Sequence, residues 1–192
     1  MKLSRTALAG LVFGAAAVAG GMIAVSSSGS DGVTTFSTSR LNILGTGRVA
    51  QLPAIDGIAA VKDIVGDGPL HVAASVSGVN TWVAETADGS ICVVAEDSGG
   101  FAATCGSMDE VAAGRVVLRV QNRVTDPSVF VGVASNDVTA ASVGSVDAVV
   151  NDNVWIAIAG PTDSTYSVTG PSGSVKVDMH IDAPVRSEPA PG

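Results

Sequence analysis

The two histidines are the side chains of this chain best suited to acid–base chemistry near neutral pH. His71 lies in the run HVAASV and His180 in the run KVDMHID, and both runs have the composition of strands. A hydrolase also needs an activated nucleophile with a base in reach, and the sequence contains no Gly-x-Ser-x-Gly motif. We keep His71 and His180 as candidates that could act only if the fold brought them together with acidic residues.

Acidic residues are plentiful, because eighteen Asp and Glu oppose ten Lys and Arg and the formal charge is −8. This balance argues against nucleic-acid binding, which needs clustered basic side chains, and against docking on anionic lipid. A glycosidase would need two carboxylates on either side of the scissile bond. The candidates that we consider are Asp147, Asp152 and Asp178.

Aromatic residues that could stack on a sugar are few, namely Trp82, Trp155 and Tyr166. Trp155 lies in the strand-like run NVWIAIA, in which it alternates with Ala157 and Ala159. That face of the strand could belong either to the core or to an exposed binding patch, and we favour the core.

Two turn-like tripeptides, Ser135-Asn136-Asp137 and Asn151-Asp152-Asn153, group oxygen atoms that could bind calcium. Calcium takes about six to eight oxygen ligands, and neither tripeptide supplies that number. Asn and Asp also favour turns because they hydrogen-bond to their own backbone. We therefore expect turn residues here, and no metal or other cofactor.

Three arginines, Arg115, Arg119 and Arg123, recur at every fourth residue. On a helix this spacing would form a basic stripe, but the surrounding valines of RVVLRVQ favour a strand. In a strand Arg115 and Arg119 share one face. We expect solvated or paired charges at these positions.

The only two cysteines, Cys92 and Cys105, flank an acidic turn. If Ser98-Gly99 is a two-residue hairpin turn between Asp97 and Gly100, the cysteines lie opposite each other at a non-hydrogen-bonded position. Their Cα atoms would then be about 4.5 Å apart, which a disulfide can span. Redox-active pairs usually have CxxC spacing at a helix start, and a zinc site would need further ligands. The sequence therefore predicts a structural disulfide.

The N-terminus has the layout of a secretory signal. Lys2 and Arg5 precede an uncharged run from Thr6 to Ser30, whose apolar part ends near Val25. The same run could also cross a bilayer once and leave the rest of the chain outside. Cleavage and retention are both left open. Either one predicts a location that is extracellular or on the outer face of the cell membrane.

Two short helices are predicted in the first half of the chain. One runs from a cap at Asp56 to Gly66, with apolar residues at helical spacing. The other begins at the capping box formed by Ser107 and Glu110 and has two turns at most. The segment RLNILG at 40–45 is ambiguous.

A meander of strands surrounds the cysteines. Asp88-Gly89 predicts a two-residue turn before the cysteine hairpin. This turn would place Trp82 and Val93 on one face and Val83 on the other, and both faces are apolar. The predicted strands are 81–86, 90–96 and 101–105.

The remaining chain alternates short apolar runs with turn residues, at intervals that are typical of a β-sandwich. The predicted strands are 115–121, 128–134, 138–143, 146–150, 153–159, 165–170 and 174–180. The predicted fold class is mainly β with two short helices. A three-strand, disulfide-stapled meander is followed by an immunoglobulin-like, β-sandwich-type half, although the Cys…Trp…Cys signature is absent.

The predicted organisation is one compact unit between two terminal segments. Its parts are a signal peptide or membrane anchor at 1–30, a linker at 31–39, an α+β half at 40–125, a strand-rich half at 126–182 and a disordered tail at 183–192.

The run WVAETADGSICVVAEDSGGFAATCGS, together with SNDVTAASVGSVDAVVNDNVWIAIA, resembles a group of uncharacterised exported β-rich proteins of high-GC Gram-positive bacteria. The resemblance covers residues 36 to 178, but Asn136-Asp137-Val138 departs from the Asp-Gly turn of that group. It implies export and a mostly β domain, and it assigns no activity.

Two functions are compatible with the sequence. The first is a non-catalytic exported envelope or extracellular domain, with a structural or binding role and an unknown protein or envelope partner. The alternative is an exported hydrolase whose acidic and histidine residues converge only in three dimensions.

Overall fold

The computed structural model describes residues 36–50, 58–97, 100–121 and 125–179. These residues form a mainly β structure, as predicted, with three four-stranded antiparallel sheets. Three short helices accompany the strands, where the sequence predicted two and left 40–45 undecided. The helices are α1 (Asn42–Thr46), α2 (Ile58–Val65) and α3 (Met108–Ala112).

Sheet A is the predicted meander extended by one strand. Its strands run in the order β1 (Leu70–Val76), β2 (Val79–Glu85), β3 (Ile91–Asp97) and β4 (Gly100–Gly106). Every residue of β3 from 91 to 95 is buried, because both faces of this strand are covered. The expectation of a central strand with two apolar faces is confirmed.

The turn between β2 and β3 differs from the prediction by one residue. Glu85 pairs with Ile91, and Thr86 N–H donates to Ser90 O at 2.9 Å, so the loop holds three residues, 87–89, rather than two. Gly89, the last of them, has a positive φ of 82°. A shift of one residue moves every side chain of a strand to the other face. Trp82 therefore lies opposite Val94, on the face of Cys92, and not with Val93 as predicted.

Sheets B and C are built from residues 117–178. Along this part of the chain, pairs of strands belong alternately to sheet B and sheet C. The strands of sheet B, in spatial order, are β5 (Val117–Val120), β6 (Ser128–Val133), β10 (Val154–Ala159) and β9 (Val149–Asn151). Those of sheet C are β12 (Gly173–Asp178), β11 (Thr165–Gly170), β7 (Ala140–Val143) and β8 (Val146–Asp147).

The predicted single strand at 146–150 is two strands. Its first part, β8, pairs with β7 in sheet C, and its second part, β9, pairs with β10 in sheet B. The chain changes sheet at Ala148, whose N–H donates to Ala141 O at 2.8 Å. The half-exposed Val149 follows this crossing.

The sheets are stacked so that sheet B lies in the middle. The A–B core joins sheet A to one face of sheet B and contains Val83, Val93, Leu118 and Ile156, among others. The B–C core joins the other face of sheet B to sheet C. Its larger side chains are Phe36, Phe130, Trp155, Tyr166, Val168 and Met179.

A third core lies on the outer face of sheet A. Val61 and Val65 of α2 cover Trp82, Cys92 and Phe101 there. The predicted end of this helix at Gly66 is confirmed by a φ of 75° at that residue, whereas the predicted cap Asp56 lies outside the described residues. The resulting order of layers is α2, sheet A, sheet B and sheet C.

We call residues 36–50 the N-terminal strap, because they run along the side of the stack and contact all three cores. Phe36 enters the B–C core, Leu41 and Ile43 enter the A–B core, and Ala50 packs against the core under α2. Val49 forms a β-bridge with His71. The strap therefore connects the three cores through one continuous segment of the chain.

No helix within the described ranges is long and apolar enough to cross a membrane.

Candidate functional site

The disulfide is formed as predicted. Asp97 pairs with Gly100, and Cys92 pairs with Cys105 with a Cα–Cα distance of 4.0 Å. Cys92 is fully buried under α2, whereas Cys105 is exposed. Because thiols are kept reduced in the cytosol, this bridge indicates an oxidising, non-cytosolic environment.

His71 is buried in β1 and has a structural partner. Its Nδ1–H donates to Gly47 O of the strap at 3.2 Å, and its side chain is 7% exposed. The imidazole thus fastens the strap to the edge of sheet A. His180, the other histidine candidate, lies outside the described residues.

A pocket of about 280 Å³ opens beside this contact. Ile43, Thr46, Gly47 and Arg48 line it from the strap, Val72 and Ala73 from β1, and Asp152 from the turn between β9 and β10. Asp152 is exposed and has a φ of 43°, which Asp tolerates better than most residues. Of the predicted candidates, Asp152 is the one that lines this pocket. Arg48 was not singled out by the sequence because no motif surrounds it.

The two turn tripeptides hold the strap rather than only their own backbone. Asn42 N–H donates to Asn136 Oδ1 and Ile43 N–H donates to Asn153 Oδ1, both at 3.0 Å. These amides cap the start of α1, whose own N-cap residue Leu41 has no side-chain oxygen. Within the described ranges, no group of three or more His, Cys, Asp or Glu side chains could hold a metal ion.

Asp137 holds the first residues of the strap. Ser37 N–H donates to both of its carboxylate oxygens, at 3.0 and 3.1 Å, and the Ser135 hydroxyl donates at 2.8 Å. Partial burial raises the pKa of Asp137, but the hydrogen bonds from Ser37 and Ser135 outweigh it and hold this pKa below its usual value.

We expect Asp137→Ala to lower the free energy of unfolding by about 1 to 2 kcal/mol, because it removes charge-assisted hydrogen bonds to the strap. The folded-state pKa is depressed, so this contribution is present above about pH 4 and is lost as the pH falls further. Urea titrations between pH 2.5 and 7 measure this contribution to the free energy of unfolding. In Asp137→Asn, this free energy should decrease less between pH 7 and pH 2.5 than it does in the wild type. Asp147→Ala, at an exposed carboxylate, is the matched control and should change stability by less than about 0.5 kcal/mol. Equal effects of the two alanine variants would contradict the role of Asp137.

Trp155 belongs to the core, as favoured from the sequence. Its side chain is 0% exposed, and its ring lies 5.4 Å from the ring of Tyr166 in the B–C core. Tyr166 in turn donates its hydroxyl to Gly114 O at 2.8 Å. Trp82 packs under α2 against Phe101. These aromatic side chains therefore fill cores and do not form a platform for a sugar.

Solvated or paired charges were expected at these arginines, and Arg119 is buried rather than solvated. Its Nε donates to Ser128 Oγ at 2.9 Å, and its guanidinium lies 5.6 Å from the centre of the Phe130 ring. Arg119 also donates to Pro161 O, and so it fixes the loop before β11. Burial lowers the pKa of Arg119, and the nearby Asp163 carboxylate partly offsets this effect. Arg123 lies outside the described residues.

The acidic candidates on sheet C are well separated. Asp178 lies on the edge strand β12 and accepts from the Thr165 hydroxyl at 2.5 Å. Asp147 lies on β8, at the opposite edge of the same four-stranded sheet. Three inter-strand steps place their strands about 14 Å apart, which exceeds the carboxylate spacing of glycosidases. This pair therefore does not fit that chemistry.

Comparisons with protein-family models, with curated proteins and with solved structures found no match. The described residues define the class of the protein by architecture alone. It is a mainly β protein in which three stacked antiparallel sheets, covered by one helix, are fastened by an N-terminal strap and a disulfide.

Proposed function

We propose that this chain is a non-catalytic exported domain that acts at the cell envelope or outside the cell, in a binding or structural role. The observation that carries the proposal is the Cys92–Cys105 bridge, because such bridges persist in oxidising compartments. The basic start and apolar run of residues 1–30 support export. The resemblance to exported β-rich proteins of high-GC Gram-positive bacteria favours the same reading.

The use of the polar side chains favours binding or structure over catalysis. His71 donates a hydrogen bond to Gly47 O of the strap. Asn136, Asp137 and Asn153 also form hydrogen bonds with the strap. A general base must reach the proton that it removes, and the His71 side chain, whose Nε2 is not used by the Gly47 contact, is only 7% exposed. The alternative of an exported hydrolase would need a second arrangement of these groups.

Intact mass and thiol alkylation of the native protein test export. We expect the protein outside the cytosol, with a mass two hydrogens below that of the dithiol form and no alkylation before reduction. Loss of about the first 25 residues would indicate cleavage. An intact chain in the membrane fraction that external protease can digest would indicate retention as an anchor. A full-length cytosolic protein with two alkylatable thiols would overturn the proposal.

Activity assays test the other half of the proposal. We expect no turnover of ester or glycoside substrates that depends on this chain. Hydrolysis by the purified protein that is lost in both His71→Gln and Asp152→Asn would instead support the hydrolase, provided that both variants keep the unfolding transition of the wild type.

A further inference from the structure

The pocket beside β1 carries both charge signs on its walls. Arg48 supplies a guanidinium from the strap, and Asp152 supplies a carboxylate from the β9–β10 turn. Both residues are exposed, and neither forms an ion pair with any described residue. Two opposite charges that line one pocket without neutralising each other leave two complementary positions for a ligand.

The accessible lining of the pocket is mostly polar, because Ile43 and Ala73 are buried behind it. Val72 is half-buried, and the hydroxyl of Thr46 lies at the end of α1. The volume of about 280 Å³ equals that of about nine water molecules in the liquid. A ligand of roughly ten non-hydrogen atoms fits this space, which is at the small end for ligand pockets.

We propose that this pocket binds a zwitterionic amino acid or dipeptide. Arg48 would bind the carboxylate and Asp152 the ammonium group. An anion alone would be repelled by Asp152, and a cation alone by Arg48. A ligand that carries both charges satisfies both residues at once.

Binding at this place would stabilise the strap. Four of the seven lining residues belong to the strap, and the neighbour of Asp152, Asn153, already binds Ile43 N–H. A ligand held between Arg48 and Asp152 would therefore link the strap to sheet B. A ligand that binds only the folded state raises its stability.

The proposal rests on the binding role proposed above, but not on export. Location and the redox state of the cysteines are tested on the native protein. The pocket is tested on the purified oxidised protein. Failure of one test is therefore distinct from failure of the other.

The test is a titration of isotope-labelled protein with L-leucine and L-alanyl-L-leucine, followed by NMR. We expect saturable shifts at the amides of Gly47, Val72 and Ala73, together with a higher unfolding temperature for the ligand that binds more tightly. N-acetyl-L-leucine and L-leucinamide each lack one of the two charges of L-leucine. Each should bind at least about tenfold more weakly than L-leucine. Arg48→Gln should weaken binding by a similar factor, as should Asp152→Asn, which keeps a residue that tolerates positive φ.

Lys176→Gln and Asp147→Asn are the matched controls, because both remove an exposed charge from sheet C, away from the pocket. Both should bind as the wild type does. If neither L-leucine nor L-alanyl-L-leucine causes shifts, at 10-fold molar excess or more and up to about 10 mM ligand, the proposal is overturned. Equal binding of leucine and of either one-charge analogue would overturn it as well.

Discussion

Removal of the Cys92–Cys105 bridge is expected to lower the free energy of unfolding by about 3 kcal/mol. The bridge closes a loop with a sequence separation of 13, and a loop of this size restricts the unfolded chain by about that amount. Because the bridge joins strands that are already paired from Ile91 to Asp97, the folded sheet should persist without it. Guanidinium denaturation of the oxidised protein, the reduced protein and the variant Cys92→Ala/Cys105→Ala measures the effect.

The double variant separates the bridge from the packing of Cys92. Alanine at this fully buried position removes a sulfur from the core under α2, so the variant should be slightly less stable than the reduced wild type. Far-UV circular dichroism should be the same in all three forms. A reduced protein as stable as the oxidised one would show that the bridge is not a structural constraint.

Gly132→Ala is expected to destabilise the protein by about 3 kcal/mol. An added Cβ would lie 2.2 Å from the Cε2 and Nε1 atoms of Trp155, which no real Cβ contact permits. Trp155 is fully buried against Tyr166, and its Nε1–H has no hydrogen-bond partner among the described residues. The ring cannot move aside without disturbing the B–C core, and overpacking of this kind costs about 1 to 3 kcal/mol or more.

A double-mutant cycle tests the physical reason for this loss. Trp155→Phe removes the part of the ring that would meet the new Cβ, so Gly132→Ala should cost much less in that background. Gly45→Ala is the control, because nothing lies within 4 Å of its added Cβ and alanine favours a helix. Equal losses at Gly132 with and without the indole would place the cause in the backbone of β6.

The cysteine hairpin was predictable because every signal for it is local. Turn residues, the spacing of the cysteines and the alternation of apolar side chains all lie within residues 90–107. The neighbouring hairpin was predicted one residue short, since Asp88-Gly89 occurs both as a two-residue turn and at the end of a three-residue turn with glycine at positive φ. Turn composition alone does not distinguish the two, and the choice decides which face each side chain of β2 occupies.

The roles of Asn136, Asp137, Asn153 and Arg119 were not predictable, for a different reason. Their partners lie up to 110 residues away in sequence, or in a loop such as that of Pro161. A turn-forming Asn that caps its own backbone looks the same in sequence as one that caps a distant helix. The same holds for a strand arginine, which can face either solvent or a neighbouring sheet.

The sequence by itself determined the class of structure: strands, short helices, most turns and the disulfide. These depend on residue type and short-range spacing, which act on the chain before any distant contact exists. Only the tertiary structure decided how the sheets stack, how the strap crosses them and which charged side chains line the pocket. Those features depend on contacts between segments far apart in sequence, and no local pattern encodes the partner of such a contact.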